Sequence, residues 1–359
     1  MRRRFLAVAI SMALSGITTA HADGFALKAK PRIAMVYFSS KTDGGWSQSF
    51  DEARAKMETA FGEKIAYVEN VPEVTSVVES TVEQLIKRGN NIIIGTAFGY
   101  ADAFKDLAKR HPDVAFLNAA GTANGPNLES FYGRTYESQY LCGMAAAAAS
   151  KTGKLGFVAA NPFGVVNWTI NAYELGARKV NPNAQLTVVF TGSWDDPVKE
   201  RAAATALADH GIDVIGQHVD SPTIQLVAQE RGIHGTGHHR DMRSFAPKAT
   251  VCSSVWVWDR FLIPEVRKIA AGSWQPAPNG VLIEMKDGGT DIAGFGSAVP
   301  ADKQALILAE RDAIIKGKQI YAGPLSDNDG KPRVLADQVL PDQDLWKMNW
   351  FVKGVITQK

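Results

Sequence analysis

The sequence predicts an α/β protein made of two doubly wound, Rossmann-like lobes joined by crossing hinge segments. Three observations carry that prediction. Apolar strand-like runs alternate with amphipathic helical stretches, the order that builds a parallel sheet with crossover helices. That order is then repeated, and the interval from Trp46 to Trp168 equals the interval from the helix-ending Gly89 to its counterpart Gly211. Finally, 359 residues of which 45% are hydrophobic and 21% charged supply enough material for two cores.

An export signal is expected at the N-terminus. Arg2, Arg3 and Arg4 precede an apolar run from Phe5 to Ile17, and Ala20-His21-Ala22 gives the small-x-small pattern of a cleavage site. Residues 1–22 are expected to be a signal peptide and Asp23 the first residue of the mature protein. The run is too short for a spanning helix, which needs ~20 apolar residues. No Cys stands at the cleavage point to accept a lipid, so the mature chain is expected free in the periplasm. Arg2-Arg3-Arg4-Phe5-Leu6 also fits a twin-arginine signal, leaving the export route open.

In the first half, strands are expected over Arg32–Phe38, Lys64–Glu69, Asn91–Thr96 and Val114–Ala119. Helices fall between them over Trp46–Phe61, Val74–Arg88 and Ala101–Arg110. The second half offers strands over Lys154–Ala160, Gln185–Thr191 and Asp213–Val219, with helices over Asn167–Val180 and Asp196–His210. Lobe 1 is expected to comprise residues 30–136 plus 256–284, and lobe 2 residues 137–255 plus 285–359. Cys142 and Cys252 sit in a helical and a strand context, so two separate buried thiols are expected rather than a disulfide.

Doubly wound sheets bind ligands outside the carboxyl ends of their strands. The loops there are rich in aromatics, namely Trp46, Phe98, Phe163, Trp168 and Trp194, with Asp43, Asn118, Asn161, Asn167, Asp195 and Asp220 beside them. Indole faces with amide and carboxylate groups suit a flat heteroaromatic ligand, and equally a sugar whose C–H face stacks on indole. Lys and Arg number 39 against 37 Asp and Glu, so there is no basic excess to bind nucleic acid.

Asp43-Gly44-Gly45-Trp46-Ser47-Gln48-Ser49-Phe50, Gly153-Lys154-Leu155-Gly156-Phe157-Val158, Gly192-Ser193-Trp194-Asp195-Asp196 and Lys286-Asp287-Gly288 together resemble the basic-membrane-protein family. The resemblance implies the type I periplasmic-binding-protein fold and a substrate-binding component of an ABC importer. It further implies a monomer that binds a purine base or nucleoside and meets a membrane permease. The ligand-binding set it suggests is Asp43, Trp46, Ser47, Phe98, Asn118, Trp168, Trp194, His239, Asp241 and Lys286. Trp46 and Trp194 match the family's stacking aromatics, and Asn118 its in-plane base-binding acid. His239 stands where nucleoside binders carry a ribose-gripping Asp, so a free base is expected to bind at least as well as a nucleoside. Arg240 or His238 could instead meet an acidic group on the ligand.

Enzyme readings find little support. No GxGxxG, GxxxxGK[ST] or GxSxG run is present, and no HExxH or CxxC that would mark a metal. No cofactor and no metal are expected, the histidines near His234 reading as a polar loop. The rival class is a periplasmic nucleoside hydrolase, for which Asp195-Asp196 is the sole dense acid pair near a strand end.

Overall fold

Alternating strand and helix propensities resolve into two sheets. The computed structural model describes residues 25–357, and the expected signal peptide lies outside them. The first lobe runs β1 (Ile33–Val36), α1 (Trp46–Phe61), β2 (Ala66–Val68), α2 (Thr75–Lys87), β3 (Ile92–Gly95), α3 (Ala101–Arg110), β4 (Ala115–Ala119) and β5 (Leu128–Gly133). The chain crosses into the second lobe with α4 (Thr135–Ala149), β6 (Lys154–Ala159), α5 (Gly164–Val180), β7 (Gln185–Phe190) and α6 (Pro197–Asp209). That lobe continues with β8 (Val214–His218), α7 (Thr223–Glu230), β9 (His234–Gly237) and β10 (Thr250–Trp256). A return to the first lobe supplies α8 (Trp258–Ala270) and β11 (Val281–Ile283), after which β12 (Thr290–Ala293) and α9 (Ala301–Ile315) lie again in the second. The chain closes with β13 (Leu325–Ser326), β14 (Pro332–Val334), α10 (Asp342–Trp346) and β15 (Val355–Thr357).

The first sheet has the order β11-β5-β4-β3-β1-β2 and every pair is parallel. The second has the order β12-β10-β9-β8-β6-β7-β15, parallel except where β12 pairs with β10. Buried strands such as Ile92-Ile93-Ile94 and Ala115-Phe116-Leu117 are apolar on both faces because helices cover both sides. This is the two-lobed architecture the alternation predicted.

Helix α4 is buried along nearly its whole length and packs backbone to backbone on α5. A Cβ on Gly143 would lie 1.9 Å from the Tyr173 carbonyl oxygen, and one on Gly176 1.9 Å from that of Tyr140. Cys142 in α4 and Cys252 in β10 are buried, unbonded thiols. They are not separate, however, since their Sγ atoms lie 3.8 Å apart. Among the described residues no helix is long and apolar enough to cross a membrane.

Candidate ligand-binding site

The entry to α1 is built by one carboxylate. Asp43 Oδ1 accepts from the backbone N–H of Gly45 and Gln48, and Oδ2 accepts from Ser47 N–H and the Ser39 hydroxyl. These bonds satisfy donors at a helix start that has no other cap. They also fix Trp46 as the first helical residue, with its indole turned toward the opposite lobe. Trp46 Nε1–H donates to the Thr96 carbonyl at 2.6 Å, and its ring meets Phe50, Tyr132, Trp256, Trp258 and His239 within 6.2 Å between centroids.

The cavity in front of Trp46 lies between the lobes. Phe38, Trp46, Glu73, Ala97, Phe98, Ala120 and Tyr132 line it from the first lobe, and Phe163, Val165, Trp194, His218, Asp220 and His239 from the second. Its first wall is aromatic and aliphatic, apart from Glu73, whose carboxylate accepts from Gly99 N–H at 2.6 Å. The second wall carries the polar groups. No Lys or Arg is among the lining residues.

Two lining residues, Ala120 (φ 56°) and His239 (φ 72°), hold a left-handed backbone that L-residues rarely adopt. Such conformations cost roughly 1–3 kcal/mol and persist where their surroundings over-determine them, often at ligand sites. His239 is indeed held at both ring nitrogens. Trp256 Nε1–H donates to its Nδ1 at 2.9 Å, and its Nε2 faces Asp220 Oδ1 at 3.1 Å. Indole can only donate, so Nδ1 must be bare and Nε2 must carry the proton given to Asp220.

Electrostatics follow from burial. The rings of His218, His238 and His239 stand in a row, 4.4 and 3.9 Å between successive centroids, and burial drives all three toward the neutral form. For His218 the pKa is pushed down to about 3, and its ring makes no hydrogen bond among the described residues. Burial, then the nearby Asp43, Asp195, Glu200 and Glu73, hold the Asp220 carboxyl well above the usual carboxylate range.

Of the ten residues expected to bind ligand, Trp46, Phe98, Trp194 and His239 line the cavity. The others do not. Asp43 and Ser47 are consumed in the α1 cap, where Ser47 Oγ also bonds Ser39. Trp168 is wholly buried one turn inside α5, its Nε1–H donating to Thr135 Oγ1 at 3.0 Å, so the matched interval with Trp46 does not give a matched role. Asn118 is wedged where a Cβ on Gly95 or Gly121 would strike its amide, and both amide atoms lack partners among the described residues. Asp241 pairs with Arg243, and Lys286 is an exposed partner of Glu284. Arg240 and His238 do not line the cavity: Arg240 binds Glu52, and His238, whose Nδ1 accepts from Gln139 Nε2, is wholly buried. Phe38, Tyr132 and His218 were not singled out from the sequence. Phe38 ends a predicted strand and His218 is the penultimate residue of another, the signal that could have found them.

The lobes are in contact. Arg240 donates to Glu52 Oε1 from Nε at 3.1 Å and Nη2 at 2.7 Å, joining the second lobe to α1. A Cβ on Gly45 would lie 1.6 Å from the Asp220 carbonyl oxygen, and one on Gly44 2.8 Å from Pro222. At the rim, Phe98 and Phe163 stack across the cleft, 6.0 Å apart at 15°. Among the described residues no three His, Cys, Asp or Glu side chains converge as metal ligands.

With this geometry in view, residues 30–322 match the family profile described as ABC transporter substrate-binding protein PnrA-like. The chain is 34% identical to a purine-binding protein of Brucella abortus over 91% of this chain and 93% of that protein. It is 32% identical to a putative ABC transporter glucose-binding protein of Haloferax volcanii over 90% of this chain and 79% of that one. Among solved structures, an ABC transporter solute-binding protein of Aeropyrum pernix superposes with a TM-score of 0.69 at 15% identity, covering 88% of this chain and 95% of that chain.

Proposed function

The chain belongs to the PnrA-like family of ABC transporter substrate-binding proteins, and from that premise we propose that its cavity takes a purine base or the corresponding nucleoside. As a member of the family it is a solute-binding protein rather than an enzyme, works outside the cytoplasm and serves a membrane permease. The finer reading includes a monomer released into the periplasm by cleavage after Ala22. A single observation carries the ligand assignment: aromatic side chains from both lobes, among them Trp46, Tyr132, Phe163 and Trp194, share the cavity with a polar cluster of His218, Asp220 and His239 on the second. A flat heterocycle uses both, stacking on one side and hydrogen-bonding at its edge.

The Brucella relative's name supports a purine, whereas the Haloferax relative's name favours a sugar. A hexose carries hydroxyls all around its rim and needs polar partners on most sides. Here the first-lobe wall offers few. His239, where the family resemblance places a ribose-gripping acid, has both ring nitrogens occupied within the protein. This supports a base binding at least as tightly as its nucleoside.

Mass spectrometry of ligand released from freshly purified protein tests the assignment, with recovery of a purine expected. Recovery of a sugar would overturn it and leave the transport role intact. Calorimetry with adenine, hypoxanthine, guanine and their nucleosides tests the preference. Nucleosides binding tenfold more tightly than every base would reverse it.

A further inference from the structure

We infer that Asp220 is the specificity residue of this cavity: its Oδ2 accepts a ligand N–H, and Trp256 and His239 act as positioning residues that hold the carboxyl to that role. The inference rests on the purine reading and names the contact that selects among purines.

Three observations converge on it. Asp220 is 5% exposed, lines the cavity, and has no Lys or Arg partner among the described residues. Its Oδ1 is taken by His239, while Oδ2 has no hydrogen-bond partner among the described residues. A carboxyl oxygen at the cavity wall loses its water when a ligand enters and is then costly to leave unmatched, so a bound ligand is expected to supply a donor there. The relay then decides which oxygen faces the ligand. Because Trp256 can only donate, it forces the proton of neutral His239 onto Nε2, and that proton fixes Oδ1 as an acceptor from the protein. Oδ2 is left as the oxygen available to the ligand: burial favours a proton on it before a ligand enters, and a ligand N–H bonded there favours the ionised carboxyl and displaces that proton.

The ligand class follows. A heteroaromatic carrying a ring N–H or amino group satisfies Oδ2. An anion does not, because the acids Glu73, Asp195 and Glu200 act on the same carboxyl and no cation lines the cavity. Nucleotides are therefore rejected on charge, and N-alkylated rings without an N–H on the missing bond.

Calorimetry on wild type, Asp220→Asn and Trp256→Phe with adenine, 9-methylpurine (the same ring with no N–H) and adenosine monophosphate tests this. Wild type should bind adenine at least tenfold more tightly than either other probe. In Asp220→Asn the amide oxygen can still accept from His239, placing the NH2 where Oδ2 was. Adenine should then bind at least tenfold more weakly, without loss of apo thermal stability. Trp256→Phe frees Nδ1, so the His239 ring 15N shifts should leave the pure Nε2–H pattern while adenine affinity falls several-fold.

Equal adenine binding by wild type and Asp220→Asn would overturn the role of Asp220 alone, as would adenosine monophosphate or 9-methylpurine binding as well as adenine. An unchanged His239 tautomer and affinity in Trp256→Phe would overturn the relay. Failure of wild type to bind any purine base or nucleoside would overturn the purine reading, and this inference with it.

Discussion

Trp46 is tied to the protein around most of its ring and offers the remainder to the cavity. The sequence suggested a stacking residue; Trp46 lines the cavity, and its bond to Thr96 and packing on Trp256 and Trp258 make it structural as well. Trp46→Ala should therefore weaken ligand binding by about 1–3 kcal/mol and also destabilise the apo protein by roughly 3–5 kcal/mol. Calorimetry and thermal unfolding together check this, and loss of only one property would assign Trp46 to the other role. Glu174 is a plainer case. It is wholly buried in α5 with both carboxylate oxygens lacking a hydrogen-bond partner among the described residues, and burial pushes its pKa up to about 8 despite Arg178 at 4.0 Å. The folded state keeps this proton while the unfolded chain loses it near 4.5, so stability falls as pH rises through that interval and levels off above about 8. Glu174→Gln should be nearly neutral at pH 4.5 and more stable than wild type at pH 9, by up to about 4 kcal/mol. Thermal melts of both proteins at the two pH values check it, and a shift independent of pH would refute it. Neither the Glu174 burial nor the Trp256–His239–Asp220 relay was legible in sequence, because both join residues brought together only by sheet order.

At the scale of elements, local periodicity was enough for α1 and α3, whose observed bounds coincide with the expected ones. It was also enough for Gly89 and Gly211, both of which take the left-handed conformation after their helices. It was not enough for β5 or for the segments after β12. Leu128–Gly133 is short and mixed, and β15 exists as a strand only because β7 offers it an edge. The start of α1 shows what pattern reading cannot see. Gly44-Gly45 is no phosphate loop; it lets α1 approach the Asp220 backbone of the other lobe. Gly45→Ala should hold the lobes apart, lowering ligand affinity at least a hundredfold while both lobes stay folded. Small-angle scattering with ligand present should report an open form, and a closed form with normal affinity would refute the steric assignment.

At the scale of the whole molecule, alternation and repetition predicted two lobes and a cleft, and several of the aromatic loops line the cavity between them. Six of the ten candidate residues nonetheless fall outside the cavity wall, because a loop at a strand end can face a cap, a core or a neighbour as readily as a ligand. Arg240–Glu52 belongs to this scale, since it is a rim ion pair between lobes. Arg240→Ala should weaken binding modestly, by roughly 0.2–1 kcal/mol as for exposed pairs, with the effect shrinking as salt is raised. Titrations at low and high ionic strength check this, and an effect that grows with salt would be inconsistent with it.

The Phe98–Phe163 stack has a kinetic consequence. A phenyl ring from each lobe meets the other across the rim, so exchange past the pair requires the rings to separate, and that separation accompanies lobe opening. Residence time is then the lifetime of the closed form, and trimming both rings to Ala should raise koff far more than it lowers kon. A permease that spreads the lobes would release the solute by removing the barrier to escape, with no need to compete for the solute itself.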